Sequence, residues 1–410
     1  MKKFYLKNSI NVSMLTLFKI LSVFLIFVVS TTVLAQENYR GIVVYIDFSD
    51  IPRPADVTEE RMDNLLNSFD YSEETIKRSF SKYWYEQSRG KIILKHDIFY
   101  YRAPKPASYY AKLDYKQGVP MWGEALESVV VNNPDYDWDR LSRDERGRLR
   151  SVMFYNSENF APWIGGTHYG GWTLSNGVKV KSVYGANLIR NGEPSLFIPI
   201  HESGHAFFHF PDTYDTSYDS GGTGAYTVMS GGATSIIEPI GAPFRVEAGW
   251  GNIIEPVAGT QTITLKADGD TIVVYKNPMD EKEYFSIEAR KKSTLGNDKF
   301  PTDLGLLVWH TDLNVKTSNR EQDMTPEKHY VHSIEQADGL FELERNTSSR
   351  KNQGNEGDMY IPGRTFTDST IPNSKWWNGS SSHFEIKNIQ FIDDDHIQFD
   401  ITVPDSTNLK

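Results

Sequence analysis

The stretch that decides the fold reads Leu196-Phe-Ile-Pro-Ile-His-Glu-Ser-Gly-His-Ala-Phe-Phe208. The apolar residues on either side of its polar centre predict a buried helix. His201 and His205 are four positions apart, so on a helix their imidazoles stand one above the other and can bind one metal ion. Glu202 then lies beside that ion, where it can take a proton from a metal-bound water. This HExxH pattern predicts one catalytic Zn²⁺; the alternative is a core helix with two hydrogen-bonded histidines.

A third protein ligand is expected from the residues that follow the helix. Pro211 cannot continue a helix, so the chain turns there and can bring a side chain back to the metal. Asp212 is the first choice, because a carboxylate oxygen suits zinc and follows the break. His209 is the second choice, although a continued helix would rotate it away from the ligand face. Glu238, further along the chain, is a third option.

A methionine precedes two glycines in the segment Tyr226-Thr-Val-Met-Ser-Gly-Gly232. We predict a tight turn in which Met229 forms the floor of the metal site. Tyr214 and Tyr226 are candidates to donate a hydrogen bond to an oxyanion or substrate, although aromatic packing around the cleft is the commoner role.

Calcium is a second metal that the sequence could hold. Asp215 and Asp219 lie with Gly221 and Gly222 in an acidic segment, and Ca²⁺ takes carboxylate and carbonyl oxygens as ligands. A solvated turn is the alternative, because the spacing does not match the twelve-residue calcium loop. Asp358 is a similar candidate.

Length and composition limit the function classes. The chain has 410 residues, of which 39% are hydrophobic and 24% charged. That balance is typical of a globular protein and excludes disordered, collagenous and coiled-coil classes. The net charge of −11, without a basic block, argues against nucleic acid as the main partner. The chain has no cysteine, which excludes disulfides, thiolate metal sites and cysteine nucleophiles.

The first 35 residues have the plan of a secretory signal. They contain no acid, four lysines precede or open an apolar run from Ile20 to Leu34, and Val33-Leu-Ala35 forms a small-residue cleavage site. The run of about 15 residues is shorter than the roughly 20 that span a bilayer, which disfavours an uncleaved anchor. We expect cleavage after about Ala35, a secreted or extracytoplasmic location, and no stable membrane span afterwards.

The remaining chain is predicted to have two parts and an α+β fold. Residues 36–258 combine strand-like runs with helical patterns, among them 74–85 and 141–152, and with a loop at 165–172. Residues 259–410 hold strand-like segments separated by turn residues. They predict a β-rich portion packed on the first part.

Several blocks of the sequence form a recognisable series, namely residues 83–110, 201–215, 225–232, 242–250, 284–290, 305–312, 335–339 and 357–363. In these blocks the chain resembles the immune inhibitor A family of secreted zinc metallopeptidases, a metzincin-like group. The similarity extends in order over nearly the whole chain after the signal. The resemblance implies a metzincin-like domain with a twisted sheet and an active-site helix, and it favours Ca²⁺ as a stabilising ion.

One departure from the family pattern concerns the third ligand. Family members have Gly three residues after the second histidine and Asp six residues after it. This chain has Phe208 at the first of these positions, and Asp212 follows His205 by seven residues. The bend after the helix must therefore be made without that glycine.

Together these features predict a secreted zinc-dependent endopeptidase that acts on proteins or peptides through a zinc-bound water activated by Glu202. We expect a monomer. One alternative is a catalytically silent binding or adhesion protein on a peptidase fold, and the other is a zinc hydrolase with a non-protein substrate. The intact Glu202 disfavours the first, and the chain-long resemblance disfavours the second.

Overall fold

The structure is a computed structural model. Residues 36–410 form one compact unit. The predicted signal segment, residues 1–35, lies outside the described part of the chain. Among the described residues, no helix is long and apolar enough to cross a membrane. The described residues are 36–72, 78–113, 115–156, 166–187, 189–190, 193–216, 220–230, 237–291, 304–315, 324–345 and 353–405.

Helices are concentrated in the first two thirds of the unit, and strands occur throughout it. The α-helices within the described ranges are α1 (Glu59–Asn67), α2 (Phe80–Gln87), α3 (Ala107–Tyr110), α4 (Tyr115–Asn132), α5 (Phe197–Phe208) and α6 (Ala242–Glu247). The strands before α5 are β1 (Glu37–Phe48), β2 (Ile92–Ala103), β3 (Val152–Asn156), β4 (Gly166–Thr173), β5 (Lys179–Asn187), β6 (Ile189–Arg190) and β7 (Glu193–Pro194). Those after it are β8 (Asn252–Ile254), β9 (Gly259–Lys266), β10 (Thr271–Asn277), β11 (Asp280–Lys291), β12 (Leu304–Asp312), β13 (His332–Ile334), β14 (Glu385–Phe391) and β15 (His396–Val403).

The first sheet has the strand order β2-β1-β3-β5-β4 and is parallel except for β4, which pairs antiparallel with β5. Alternate residues of its central strand β1 point to opposite faces. Val43 and Tyr45 pack in one core cluster with residues of α5, whereas Ile42 and Val44 pack in another with residues of α4. Burial on both faces explains why the second half of β1 has an almost continuously apolar sequence.

Helix α5, which carries the HExxH motif, lies against β5 and β4. Ile200, Ala206 and Phe207 bury their side chains in the core beneath it. Helix α2 holds it from another side, because the Trp84 indole Nε1 donates to Ser203 Oγ at 2.9 Å. The helix is therefore fixed to both the sheet and a neighbouring helix.

The C-terminal part is a sandwich of two mainly antiparallel sheets. The larger has the order β13-β12-β11-β10-β8 and the smaller β14-β15-β9. Phe285 and Ile287 of β11 pack against Phe399 and Ile401 of the smaller sheet. The opposite face of the larger sheet, including Trp309, packs on the chain around Tyr226 and α6. One face of this sheet thus joins the C-terminal part to the residues that follow α5.

Mixed α and β structure is confirmed, but helices cover both faces of the first sheet, and the metzincin-like topology stays a prediction.

Two local predictions are wrong. The chain over 141–152 turns at Gly147, whose φ is 71°, and the Asp144 and Arg148 backbones hydrogen-bond across that turn at 2.8 Å. The predicted loop at 165–172 largely forms β4, because it pairs with β5. The helix expected over 74–85 begins at Phe80, after the N-cap Ser79, and residues 73–77 lie outside the described residues.

The aromatic packing around the end of α5 gives a stability prediction. Trp250 contacts Phe208, with ring centroids 4.9 Å apart, and Phe210, at 5.7 Å. Truncating so large a buried side chain leaves a cavity, so we expect Trp250→Ala to lower the free energy of unfolding by about 3–5 kcal/mol. Urea denaturation measures this, with Val131→Ala as a control because Val131 is 71% exposed. A loss below about 1 kcal/mol for Trp250→Ala would contradict the packing described.

Candidate metal centre

The two motif histidines and Asp212 meet at one point. His201 Nε2 and His205 Nε2 are 3.2 Å apart. Asp212 Oδ1 lies 3.0 Å from the first nitrogen and 3.1 Å from the second. Among the described residues this is the group of three histidine or acidic side chains whose ligand atoms converge, and neither His209 nor Glu238 belongs to it.

Backbone carbonyls orient both imidazoles. His201 Nδ1 lies 2.8 Å from the carbonyl oxygen of Val228, and His205 Nδ1 lies 2.5 Å from that of Phe210. A carbonyl can only accept a hydrogen bond, so each neutral ring carries its proton on Nδ1. Each Nε2 therefore presents a lone pair to the point where Asp212 Oδ1 also lies, and this is how protein metal ligands are usually held.

The donor set and its spacing suit zinc. Tetrahedral zinc with ligands at about 2.0–2.1 Å requires ligand atoms roughly 3.3 Å apart. The three separations of 3.0, 3.1 and 3.2 Å are close to that value. Three protein ligands leave a fourth position for water or substrate, as in catalytic zinc sites. The site thus passes the geometric test for the expected ion.

Tyr214 supports the aspartate from outside the group. Its hydroxyl donates to Asp212 Oδ2 at 3.0 Å, and its ring stacks on His201 at an interplanar angle of 24°. One carboxylate oxygen is thus held by Tyr214, and the other faces the histidines. The structure places Tyr214 beside the site, in contact with a candidate ligand, and its role toward an oxyanion or substrate stays a prediction.

Electrostatics within the group favour positive charge. Burial lowers the pKa of His201, but the hydrogen bond that its protonated ring donates to Asp212 and the charge of Glu202 outweigh this effect and raise the pKa to about 9. Burial would raise the pKa of Asp212, yet its hydrogen bonds with the two imidazoles hold that pKa well below its usual range. The carboxylate thus attracts a cation, whether proton or metal, to this point.

Helix α5 ends three residues before Pro211, and His209 makes the bend. His209 is left-handed, with φ 61°, and the Phe210 N–H donates to the Gly204 carbonyl at 3.2 Å. Glycine usually takes such a left-handed position at the C-terminal end of a helix. The missing glycine is therefore replaced by a strained histidine one residue later. The His209 ring lies 3.3 Å from Lys181 Nζ, and its pKa is lowered by burial and by nearby cations.

Phe208, which stands where the family that the sequence resembles has glycine, has a packing role. Its ring lies 4.7 Å from that of Trp84 and 4.9 Å from that of Trp250. The side chain closes the core where the helix ends.

Met229 lies beneath α5. A Cβ at position 204 would stand 2.6 Å from the Met229 sulfur, so the glycine of the motif leaves room for the methionine. The Thr213 N–H donates to the Met229 carbonyl at 2.9 Å and joins the methionine segment to the chain after Asp212. The role of Met229 as the floor of a metal site stays a prediction.

Later parts of the chain hold the segment between Asp212 and Met229. The Gly221 N–H donates to the Leu343 carbonyl at 2.9 Å, and the Ala225 N–H donates to the Gln353 carbonyl at 2.8 Å. The residues that line the site thus depend on contacts with the C-terminal part.

Tyr226 is not at the histidines, which corrects that prediction. Its side chain is fully buried, and its hydroxyl donates to Asp358 Oδ2 at 2.8 Å. The Tyr226 ring instead packs in the core beneath the larger C-terminal sheet.

Calcium binding at Asp215 stays a prediction. Asp215 is buried, and its Oδ2 accepts hydrogen bonds from Ser220 Oγ at 2.8 Å and Tyr330 Oη at 3.2 Å. Asp219 lies outside the described residues.

Sequence reasoning missed the carbonyl groups of Val228 and Phe210, which orient the histidines. Backbone groups carry no residue-type signature, so no sequence pattern marks Phe210. Val228 could have been found, because it directly precedes Met229 in the predicted turn.

Comparison with known proteins does not establish a family. No protein-family model and no curated protein matches the chain, so membership of the immune inhibitor A family stays a prediction. Wild-type OgpA from Akkermansia muciniphila is similar in two crystal forms. The P 41 21 2 form has 14% identity over 68% of this chain and 92% of that one, with a TM-score of 0.29. The P 21 21 21 form has 12% identity over 68% and 90%, with a TM-score of 0.29.

A catalytically inactive form of OgpA in complex with an O-glycopeptide substrate is also similar. It has 14% identity over 63% of this chain and 73% of that one, with a TM-score of 0.28. A likeness at such TM-scores establishes neither a shared fold nor a shared activity.

Substitution of His209 separates its capping role from a ligand role. Glycine removes the cost of a left-handed side-chain residue, so we expect His209→Gly to raise the free energy of unfolding by about 0.5–1 kcal/mol and to leave zinc affinity unchanged. Asp212→Ala should weaken zinc binding by more than the roughly 10–100-fold that loss of an outer partner costs. Competition with a chelating dye measures both affinities. Loss of zinc in His209→Gly would instead make His209 the ligand.

Proposed function

We propose that the protein is a zinc-dependent endopeptidase that hydrolyses peptide bonds of proteins after export from the cell. The observation that carries the proposal is the convergence of His201 Nε2, His205 Nε2 and Asp212 Oδ1 with lone pairs turned to one point. Glu202 supports it, because this acid follows the first histidine in the same helix, is 7% exposed and acts electrostatically on His201.

The residues of the site have two roles in this proposal: three would hold a metal ion, and one would transfer a proton. Zinc, when bound, lowers the pKa of water and polarises a carbonyl group. His201, His205 and Asp212 would hold it. Glu202 would accept the proton of the attacking water and then deliver it to the leaving amine. Because Glu202 is largely shielded from solvent, its charge interacts more strongly with the reacting groups than it would in water.

The two alternatives differ from this proposal in what they require of Glu202 and of the substrate. A silent binding protein needs no general base, so its function would tolerate the loss of the Glu202 carboxylate. A hydrolase with a non-protein substrate would need Glu202 but would leave casein intact. The geometry around the histidines supports hydrolysis, and the choice of substrate rests on the sequence resemblance.

Glu202→Gln tests the general base. The amide keeps the size of the side chain but cannot accept the proton, so we expect casein cleavage to fall by about 10²–10⁴-fold. Zinc content should stay at one ion per chain, measured by atomic absorption, and the unfolding temperature should be unchanged. Removal of zinc by a chelator should abolish cleavage in the parent protein.

Each of the other possible results would exclude one part of the proposal: the general base, the substrate class or the metal centre. Casein cleavage at the parent rate in zinc-loaded Glu202→Gln would remove Glu202 from the mechanism. A zinc-loaded parent protein that leaves casein intact would reject the proposed substrate class. A folded parent protein that takes up no zinc would reject the metal centre.

Tyr214→Phe tests whether the tyrosine positions Asp212. Removing the hydroxyl frees Asp212 Oδ2, so we expect zinc affinity to fall by about 10-fold, at the lower end of the range for outer partners. Tyr109→Phe is the matched control, because Tyr109 is 48% exposed and lies outside the site. Chelator competition measures both proteins. Equal affinities in the parent and in Tyr214→Phe would show that Asp212 needs no such support.

A further inference from the structure

A cavity of about 270 Å³ lies where helix α2 and the residues after it meet α6 and β11. The basic residues in its wall are the arginines Arg78, Arg89, Arg245 and Arg290, and the acidic ones are Glu86, Asp268 and Glu288. The wall thus carries one more positive than negative side chain, in a chain whose net charge is −11. Arginines gathered in this way are typical of a site for an anion.

Two of the four arginines have carboxylate partners. Arg78 Nη1 lies 2.7 Å from Glu86 Oε2. Arg290 contacts two acids, with Nη1 3.2 Å from Glu288 Oε1 and Nε 3.4 Å from Asp268 Oδ1. These ion pairs engage all three acids of the wall.

Arg89 and Arg245 meet at a neutral acceptor instead. Each donates from Nη2 to the carbonyl oxygen of Gly269, Arg245 at a distance of 3.1 Å. Arg89 donates a further bond to the Asp268 carbonyl at 2.9 Å. The nearest approach of Arg245 to a carboxylate, from Nη1 to Glu288 Oε2, is 3.9 Å, which is too long for a hydrogen bond. Two positive charges therefore share one uncharged oxygen and repel each other.

The N–H groups of these two arginines are also poorly satisfied. Arg245 has five N–H donors and is 2% exposed, yet within the described ranges the Gly269 carbonyl is its one hydrogen-bond acceptor. The Nε atoms of Arg245 and Arg89 are both buried, and no described group accepts from them. Buried donors without acceptors are costly, so the arrangement indicates a group that the protein atoms do not supply.

The electrostatics agree with this interpretation. Burial and the charges of Arg89 and Arg290 lower the pKa of Arg245 to about 10, against the opposing charges of Glu288 and Asp270. Water accepts N–H bonds but carries no charge, so water in the cavity does not offset the repulsion between guanidinium groups. A negative ion does both.

We propose that this cavity binds one tetrahedral oxyanion, of the phosphate or sulfate kind, between Arg89 and Arg245. Guanidinium groups bind such oxygens through two parallel N–H bonds. A tetrahedral ion presents oxygens in several directions, which suits arginines that approach from different elements. The cavity exceeds several-fold the roughly 30 Å³ that one water occupies, so it has room for the ion. The site shares no residue with the candidate metal centre, and it does not depend on the proposed zinc chemistry.

The ion would join the two parts of the unit. Arg89 follows α2, whereas Arg245 belongs to α6 and Gly269 to the turn between β9 and β10. Helix α2 also holds α5, through the bond from Trp84 to Ser203. An ion bound here therefore stabilises the position of α2 between the HExxH helix and the C-terminal part.

Thermal unfolding in sulfate and in chloride at equal ionic strength tests the site. Because an ion that binds only the folded state stabilises it, we expect sulfate at a few times its dissociation constant to raise the unfolding temperature of the parent by roughly 2–4 °C relative to chloride. Calorimetric titration of the zinc-loaded protein should show one sulfate per chain. Acetate should bind more weakly; if it binds as tightly as sulfate, the proposed tetrahedral ligand class is wrong.

Two variants locate the ion, because sulfate also stabilises proteins without occupying a site. Arg245→Met removes a guanidinium group but keeps an apolar stem, and it should lose the calorimetric sulfate site. Arg89→Lys keeps the charge but not the planar fork, so it should weaken sulfate binding by about tenfold. It keeps the test decisive should Arg245→Met fail to fold.

Arg102→Lys is the matched control, since the Arg102 side chain is 55% exposed and lies outside the cavity, and its sulfate affinity should equal that of the parent. Sulfate binding at the parent affinity in both Arg245→Met and Arg89→Lys would place the anion elsewhere and overturn the proposal. A parent protein that gives no calorimetric response to sulfate or phosphate would overturn it as well.

Discussion

Two backbone carbonyls, those of Val228 and Phe210, decide what the histidine pair can do. By accepting the Nδ1 protons, they leave both Nε2 lone pairs facing Asp212. Each carbonyl depends on a different part of the fold. Phe210 is placed by the left-handed turn at His209, and Val228 by the turn that puts Met229 under the helix. Because backbone positions are set by packing over long distances, the site tolerates little movement in either segment.

The motif, its position on a helix and the nearness of Asp212 to the two histidines could be predicted from the sequence, because spacing and chemistry decide them locally. The role of His209 could not, since it depends on a left-handed backbone that the sequence favours only for glycine. The same limit explains the wrong prediction for 165–172, where pairing with β5 overrides a composition typical of loops. The contact between Tyr226 and Asp358 could not be predicted either, because the two residues lie 132 positions apart in the sequence.

The C-terminal sheets share buried contacts with the first part of the unit. Glu288 on β11 accepts hydrogen bonds from the Ala242 N–H at 3.1 Å and from Trp309 Nε1 at 2.9 Å, and it pairs with Arg290 at 3.2 Å. These groups are buried, so loss of one partner would leave an uncompensated charge in the interior. The junction between the two predicted parts is therefore a shared core, and residues 36–410 behave as one unit.

The bonds from Gly221 to Leu343 and from Ala225 to Gln353 determine when the site can form. Contacts between residues so distant in sequence close long loops, which is slow and requires that the later residues already exist. A nascent or truncated chain carries the HExxH helix without the finished arrangement around it. Any chemistry of this site can therefore begin only when nearly the whole chain has been made and folded. The connectivity of the fold thus sets the earliest point at which the site can act.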